Sequence, residues 1–126
     1  MSVLGLGIDI VNIKRIEKII KSNKKRFISK ILHKDEKKLK KLSAIKIAKK
    51  FAAKEAFAKA LGTGIGKHIQ FKEICINHNK NRAPKIKLDK SVEKRILFKL
   101  RRKKVKLFLS ISDDYPFALA TVIIST

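Results

Sequence analysis

A chain of 126 residues with 33 Lys and Arg against 10 Asp and Glu carries a formal charge of +23, which favours acidic partners: nucleic acid, anionic surfaces, phosphorylated small molecules or acidic proteins. Its length fits one domain over residues 1–126, and no apolar run reaches the roughly 18 residues that would span a bilayer. The lone Cys75 excludes an internal disulfide and a multi-cysteine zinc site, and reads as a small buried apolar residue.

The basic residues are overwhelmingly lysine and accompany many Ile and Asn, as AT-rich coding would give, so the charge alone selects no partner. The start at Met1 lacks a basic segment ahead of an apolar one, which makes the cytoplasm the expected compartment.

In chain order, Val3 to Val11 reads as a buried strand interrupted by Asp9. From Asn12, Ile13, Ile16, Ile19 and Ile20 fall at helical spacing, with Lys14, Arg15, Lys18 and Lys21 on the other faces. Asn23-Lys24-Lys25 breaks that pattern, and Phe27, Ile28, Ile31 and Leu32 resume it as a second short helix or turn. Asp35 is placed to cap a lysine-rich helix carrying Leu39 and Leu42. Ser43 is placed to cap the strongest helix, from about Ala44 to Leu61, which ends at Gly62-Thr63-Gly64-Ile65-Gly66.

Phe71 to Ile76 and Pro84 to Leu88 then form a predicted hairpin across a polar turn, and Ser91 to Arg102 a basic helix. Val105 to Ile111 and Ala118 to Ile124 read as antiparallel strands joined by a turn through Ser112-Asp113-Asp114-Tyr115-Pro116. Helices and strands are too segregated for a regular parallel array, so the fold class is α+β, with a mostly antiparallel sheet against a long central helix.

Two acids stand out. Asp9 is a carboxylate in an apolar strand, which is costly without a partner; it meets either a cation or the N-terminus of the next helix. Glu55 shares a helical line with Ile47, Phe51 and Lys59, and reads either as a metal ligand or as half of an i,i+4 pair with Lys59. Together they suit magnesium, which takes one or two protein carboxylates and fills its shell with water and phosphate oxygens. Gly62, Thr63 and Gly64 allow close approach of an anionic ligand, or simply end the helix; the segment follows a helix, unlike a P-loop. His33, His68 and His78 lack metal-ligand spacing and read as exposed.

Leu4-Gly5-Leu6-Gly7-Ile8-Asp9-Ile10-Val11, and Lys50 to Ala60 followed by Gly62-Thr63-Gly64-Ile65, resemble in order and separation the signatures of the holo-acyl-carrier-protein synthases, a family of 4'-phosphopantetheinyl transferases. The resemblance extends through Arg15-Ile16-Glu17 and Ala118 to Ile124 and covers nearly the whole chain. It implies the 4'-phosphopantetheinyl transferase fold and transfer of the phosphopantetheine arm of coenzyme A to a serine of acyl carrier protein. It further implies Asp9 and Glu55 as magnesium ligands, Lys59 at the transferred phosphate, and Lys50, Gly62, Thr63 and Gly64 at coenzyme A, with Ser112 and Asp113 near its nucleotide.

A homotrimer with shared active sites is implied as well, and the basic face of Lys14, Arg15, Lys18 and Lys21 is expected to meet an acidic helix of the carrier protein. The chain departs from the family at Asn81-Arg82-Ala83-Pro84, and at Asp113 where some members have histidine. The competing reading is a small basic nucleic-acid-binding protein; it has few aromatics and no nucleic-acid motif behind it, and neither nucleic acid nor membrane is expected as a partner.

Overall fold

The structure is a computed structural model that describes residues 1–126. Strand β1 (Val3–Asn12) leads into α1 (Ile13–Ile31), and α2 (Ala44–Ala60) follows a short 3-10 turn at Glu36–Lys38. A second 3-10 turn (Phe71–Glu73) precedes the hairpin β2 (Ile74–His78) and β3 (Pro84–Leu88); α3 (Lys90–Leu100) and the hairpin β4 (Lys106–Asp114) and β5 (Phe117–Ser125) complete the chain. All strand pairs are antiparallel, in one sheet ordered β1-β5-β4 and a second made of β2 and β3.

Helix α2 is the centre of the fold. Ser43 Oγ accepts the Lys46 N–H at its start, and its small residues Ala48, Ala52, Ala53 and Ala56 are buried against the three-stranded sheet. The contact with β1 is close because Gly5 and Gly7 face the helix: a Cβ at Gly5 would overlap the Ala60 carbonyl oxygen, and one at Gly7 that of Ala56. The strand therefore lies on the helix backbone with no side chain between them, which brings β1 residues within reach of the side chains flanking Ala56 and Ala60.

Several expectations change in the folded chain. β1 is buried on one face only: Val11 is covered, while Val3, Ile8 and Ile10 are exposed, with Ile8 at 55%. The break at Asn23 is a kink inside one helix, where Asn23 adopts φ −158° and ψ 65°. The lysine-rich helix after Asp35 is reduced to the Glu36–Lys38 turn, because the Glu36 side chain turns inward, and Asp35 makes no side-chain cap. Ser112 and Asp113 lie within β4, since the turn is confined to Tyr115 and Pro116.

Candidate active site

Asp9, on the strand that packs against α2, lies near enough to Glu55 of that helix for its charge to act on the Glu55 carboxyl. The alternative for Asp9, capping α1, is not what forms: Asn12 Oδ1 accepts the Lys14 N–H at 3.0 Å and does that work. The i,i+4 pair of Glu55 with Lys59 is also absent. Lys59 Nζ instead donates to Asp9 Oδ1 and to the Ile8 carbonyl, both at 3.0 Å, which ties the helix to the strand across the site.

Burial pushes the Glu55 carboxyl above its ordinary range, the nearby Asp9 charge pushes it further, and Lys59 opposes both. Two hard carboxylates, one of them short of compensation, are a donor set suited to a hard divalent cation; no imidazole or thiolate accompanies them. The residues present therefore fit magnesium. A bound cation would compete with the proton on Glu55, so its affinity falls as pH falls through that raised value.

The glycine segment is built to end α2. Gly62 N donates to Lys59 O at 2.9 Å, and the Thr63 and Gly64 amides both donate to Ala58 O. Thr63 Oγ1 donates to Gly64 O at 2.8 Å. Gly62 and Gly64 stand at φ 81° and 66°, with open space where a Cβ would be, so backbone conformation requires glycine there and crowding does not. These three amides are committed to the helix end.

Lys50 lies on a different part of α2, nearly buried, at a cavity of about 800 Å³ also lined by Lys46, Lys49, Cys75, Arg82 and Lys87. Asp113 ion-pairs with Lys49 at 2.7 Å on the inner face of β4. Ser112, one residue away in the same strand, faces outward, so the two residues expected together lie on opposite faces of the sheet. Lys14, Arg15, Lys18 and Lys21 are exposed along α1 and form no ion pair. Tyr115 Oη donates to Glu17 Oε1 at 2.7 Å and fixes this helix to the β4–β5 turn.

Beneath the cavity lies a buried polar centre that the sequence pattern did not reveal. Glu36 is 1% exposed; its Oε1 accepts from the His33 N–H and the Lys54 ammonium, and its Oε2 from the Ile76 N–H. Lys54 is fully buried and also donates to Ile31 O at 2.7 Å. Burial holds the Lys54 ammonium below its ordinary range, against the pull of Glu36.

His33 is 3% exposed, contrary to the expected surface position, because it lies between Asp35 and Asp89 at the end of α1. His33, Asp35 and Cys75 place ligand atoms within 4.8 Å of one another, but His33 Nδ1 already accepts the Asp35 N–H at 3.0 Å. His68 and His78 are exposed as expected, and Cys75 is buried.

Comparison with known proteins agrees with this architecture. Residues 5–120 match the model of the 4'-phosphopantetheinyl transferase superfamily. The holo-[acyl-carrier-protein] synthase of Ruthia magnifica subsp. Calyptogena magnifica is 44% identical over 127 residues, covering 98% of each chain. The crystal structure of the Helicobacter pylori holo-[acyl-carrier-protein] synthase in complex with coenzyme A superposes with a TM-score of 0.82 at 40% identity, covering 95% of this chain and 99% of that one. The Neisseria meningitidis holo-[acyl-carrier-protein] synthase gives a TM-score of 0.86 at 33% identity, over 99% of this chain and all (100%) of that one. With matches of this extent and a carboxylate pair at the packed face of β1 and α2, the chain belongs to the holo-[acyl-carrier-protein] synthases of the 4'-phosphopantetheinyl transferase superfamily.

Proposed function

We propose that residues 1–126 act as a single phosphopantetheinyl transferase domain whose reaction is carried by Asp9, Glu55 and Lys59. The chain transfers the 4'-phosphopantetheine group of coenzyme A to a serine of apo acyl carrier protein, in support of fatty acid biosynthesis. The serine hydroxyl attacks the phosphorus bearing the pantetheine arm; a new P–O ester bond forms, the diphosphate bond breaks, adenosine 3',5'-bisphosphate leaves, and the serine proton is released to solvent.

The observation that carries this assignment is Asp9 bonded to Lys59, with the partly buried Glu55 within reach of the Asp9 charge. Asp9 and Glu55 would hold magnesium, which when bound neutralises the diphosphate and polarises it toward attack. Lys59, half exposed, keeps one ammonium N–H beyond those given to Asp9 and the Ile8 carbonyl for the oxygens of the transferring phosphoryl group, where preorganised positive charge is worth most in the transition state. Lys59→Ala is expected to lower kcat by about 10²–10³-fold with a modest loss of stability from its bonds to Asp9 and the Ile8 carbonyl, as steady-state kinetics beside a thermal melt would read.

Lys50 and the cationic cavity are assigned to the phosphates of coenzyme A, with Gly62, Thr63 and Gly64 letting its chain pass close to the backbone. Asp113 reaches this region through Lys49. Ser112, on the outward sheet face, reaches the nucleotide only of a coenzyme bound between copies. The exposed cations of α1, Lys14, Arg15, Lys18 and Lys21, suit an acidic carrier-protein helix, and the basic chain is placed in the cytoplasm.

We further assign the outward sheet face to a homotrimer. Leu6, Ile8 and Ile10 of β1 line up with Ile123, Thr121 and Leu119 of β5, and Phe108 of β4, 49% exposed, pairs with Ile123. A continuous apolar sheet face of this kind marks an association surface. Phe108→Asp places a charge on that face without touching the core; light scattering should then report a monomer where the parent is trimeric, with transfer activity lost in parallel.

The test of the activity is direct: the purified chain is incubated with coenzyme A, magnesium and apo acyl carrier protein, and the carrier is weighed by mass spectrometry. Gain of one phosphopantetheine mass, abolished by chelator, is expected; an unmodified carrier overturns the assignment.

A further inference from the structure

We infer that Glu36 is a positioning residue for coenzyme A binding, acting through Lys50. Lys50 Nζ donates to the Ile76 carbonyl at 2.8 Å and lies 3.5 Å from Glu36 Oε2, so a backbone oxygen and a buried carboxylate fix the ammonium at the wall of the cationic cavity. An ammonium has three N–H donors, and these two partners leave one for a ligand phosphate.

Glu36 itself has little freedom. It accepts from His33 N at 2.9 Å, Ile76 N at 2.9 Å and Lys54 Nζ, and so ties the end of α1, β2 and α2 to one carboxylate. The same Ile76 that gives its N–H to Glu36 gives its carbonyl to Lys50, so the strand position and the ammonium position are set together. A flexible lysine stem loses rotamer entropy on ordering, and this frame meets that cost before the ligand arrives. Lys46, Lys49, Arg82 and Lys87 also line the cavity; of these only Lys49 has an ion-pair partner, Asp113. Lys50 alone among them is anchored from beneath by a buried carboxylate.

The inference rests on the assignment of Lys50 to coenzyme A, and the test separates the two. Glu36→Gln strands the Lys54 ammonium, so the informative variant is Glu36→Gln with Lys54→Met, which removes the charge that Glu36 compensates while Lys50 remains. Steady-state kinetics of this double variant, of Lys54→Met and of Lys50→Met are compared, with coenzyme A varied and carrier protein saturating.

The expected result is a KM for coenzyme A raised about tenfold or more in the double variant and in Lys50→Met, with kcat nearly unchanged, as for loss of one charge-assisted contact to the bound ligand. Lys54→Met alone should shift KM less than the double variant. A raised KM in Lys50→Met with a parental KM in the double variant overturns the positioning role and leaves Lys50 at the coenzyme. A parental KM in Lys50→Met overturns the assignment on which it rests. A fall in kcat at unchanged KM in the double variant also overturns it, since that is the signature of a general structural defect.

Discussion

Glu55→Gln should lower the transfer rate by at least about 10³-fold, roughly 4 kcal/mol of transition-state stabilisation, while leaving the fold at least as stable as the parent. The first half follows from removing one of the two carboxylates beside Lys59. The second follows from burial, which together with the Asp9 charge already disfavours the ionised form of Glu55 in the folded chain. With its folded value raised above the unfolded one, Glu55 holds its proton longer in the native state. Its ionisation therefore subtracts stability as pH rises from the unfolded value through the folded one, and the neutral amide escapes that cost. Asp9→Asn should be equally inactive but less stable than Glu55→Gln, because the carboxamide still accepts from Lys59 but loses the charge that strengthens this bond between strand and helix. Single-turnover rates and thermal melts measured across pH on the same samples would check both; full activity in either variant refutes the assignment.

Glu36→Ala should destabilise the chain by about 3–5 kcal/mol, because it leaves the fully buried Lys54 ammonium facing a void and strips two buried amides of their acceptor. Lys54→Ala should cost less, since Glu36 then loses its nearest counter-charge but keeps Lys50 at 3.5 Å and the two backbone amides that donate to it. Replacing both, as Glu36→Gln with Lys54→Met, should recover part of the loss, because the carboxamide oxygen still accepts from one of the two backbone amides and the thioether fills the stem's volume. Chemical denaturation of the two single variants and the double gives the coupling directly. Additive losses would mean that the pair does not act as a unit.

The sequence was informative where physics is local. α2 begins at Ser43 and ends at glycines with positive φ, as its cap, alanines and breakers indicate. Asp9 and Glu55 stand out as carboxylates in apolar surroundings, but each alone also reads as an ordinary cap partner or helical ion pair, and only the family resemblance joins them into one proposed site. Glu36 was hidden for the same kind of reason: in His33-Lys34-Asp35-Glu36-Lys37-Lys38 it resembles an ordinary surface charge run. Its partners Lys54 and Ile76 lie on elements that no local period connects to it.

The outer face of β1 was misread because alternation fails there. Val3, Ile8 and Ile10 give the continuous apolar run of a strand buried on both sides, yet within one chain only the glycine-bearing face is covered. Such a run is equally the pattern of a strand whose second cover is another molecule. The β4–β5 connection was drawn too wide because Ser112-Asp113-Asp114 has turn composition; in the fold Asp113 has a cation, Lys49, to meet on the inner side of the strand.

The central claim is that Asp9 and Glu55 act together on one divalent ion held against a diphosphate. A crystal structure of the chain with magnesium and coenzyme A tests it most directly. The account predicts one octahedral ion with an oxygen of each carboxylate at about 2.0–2.1 Å and a diphosphate oxygen in the same shell. An ion bound elsewhere, or held by neither carboxylate, would contradict it.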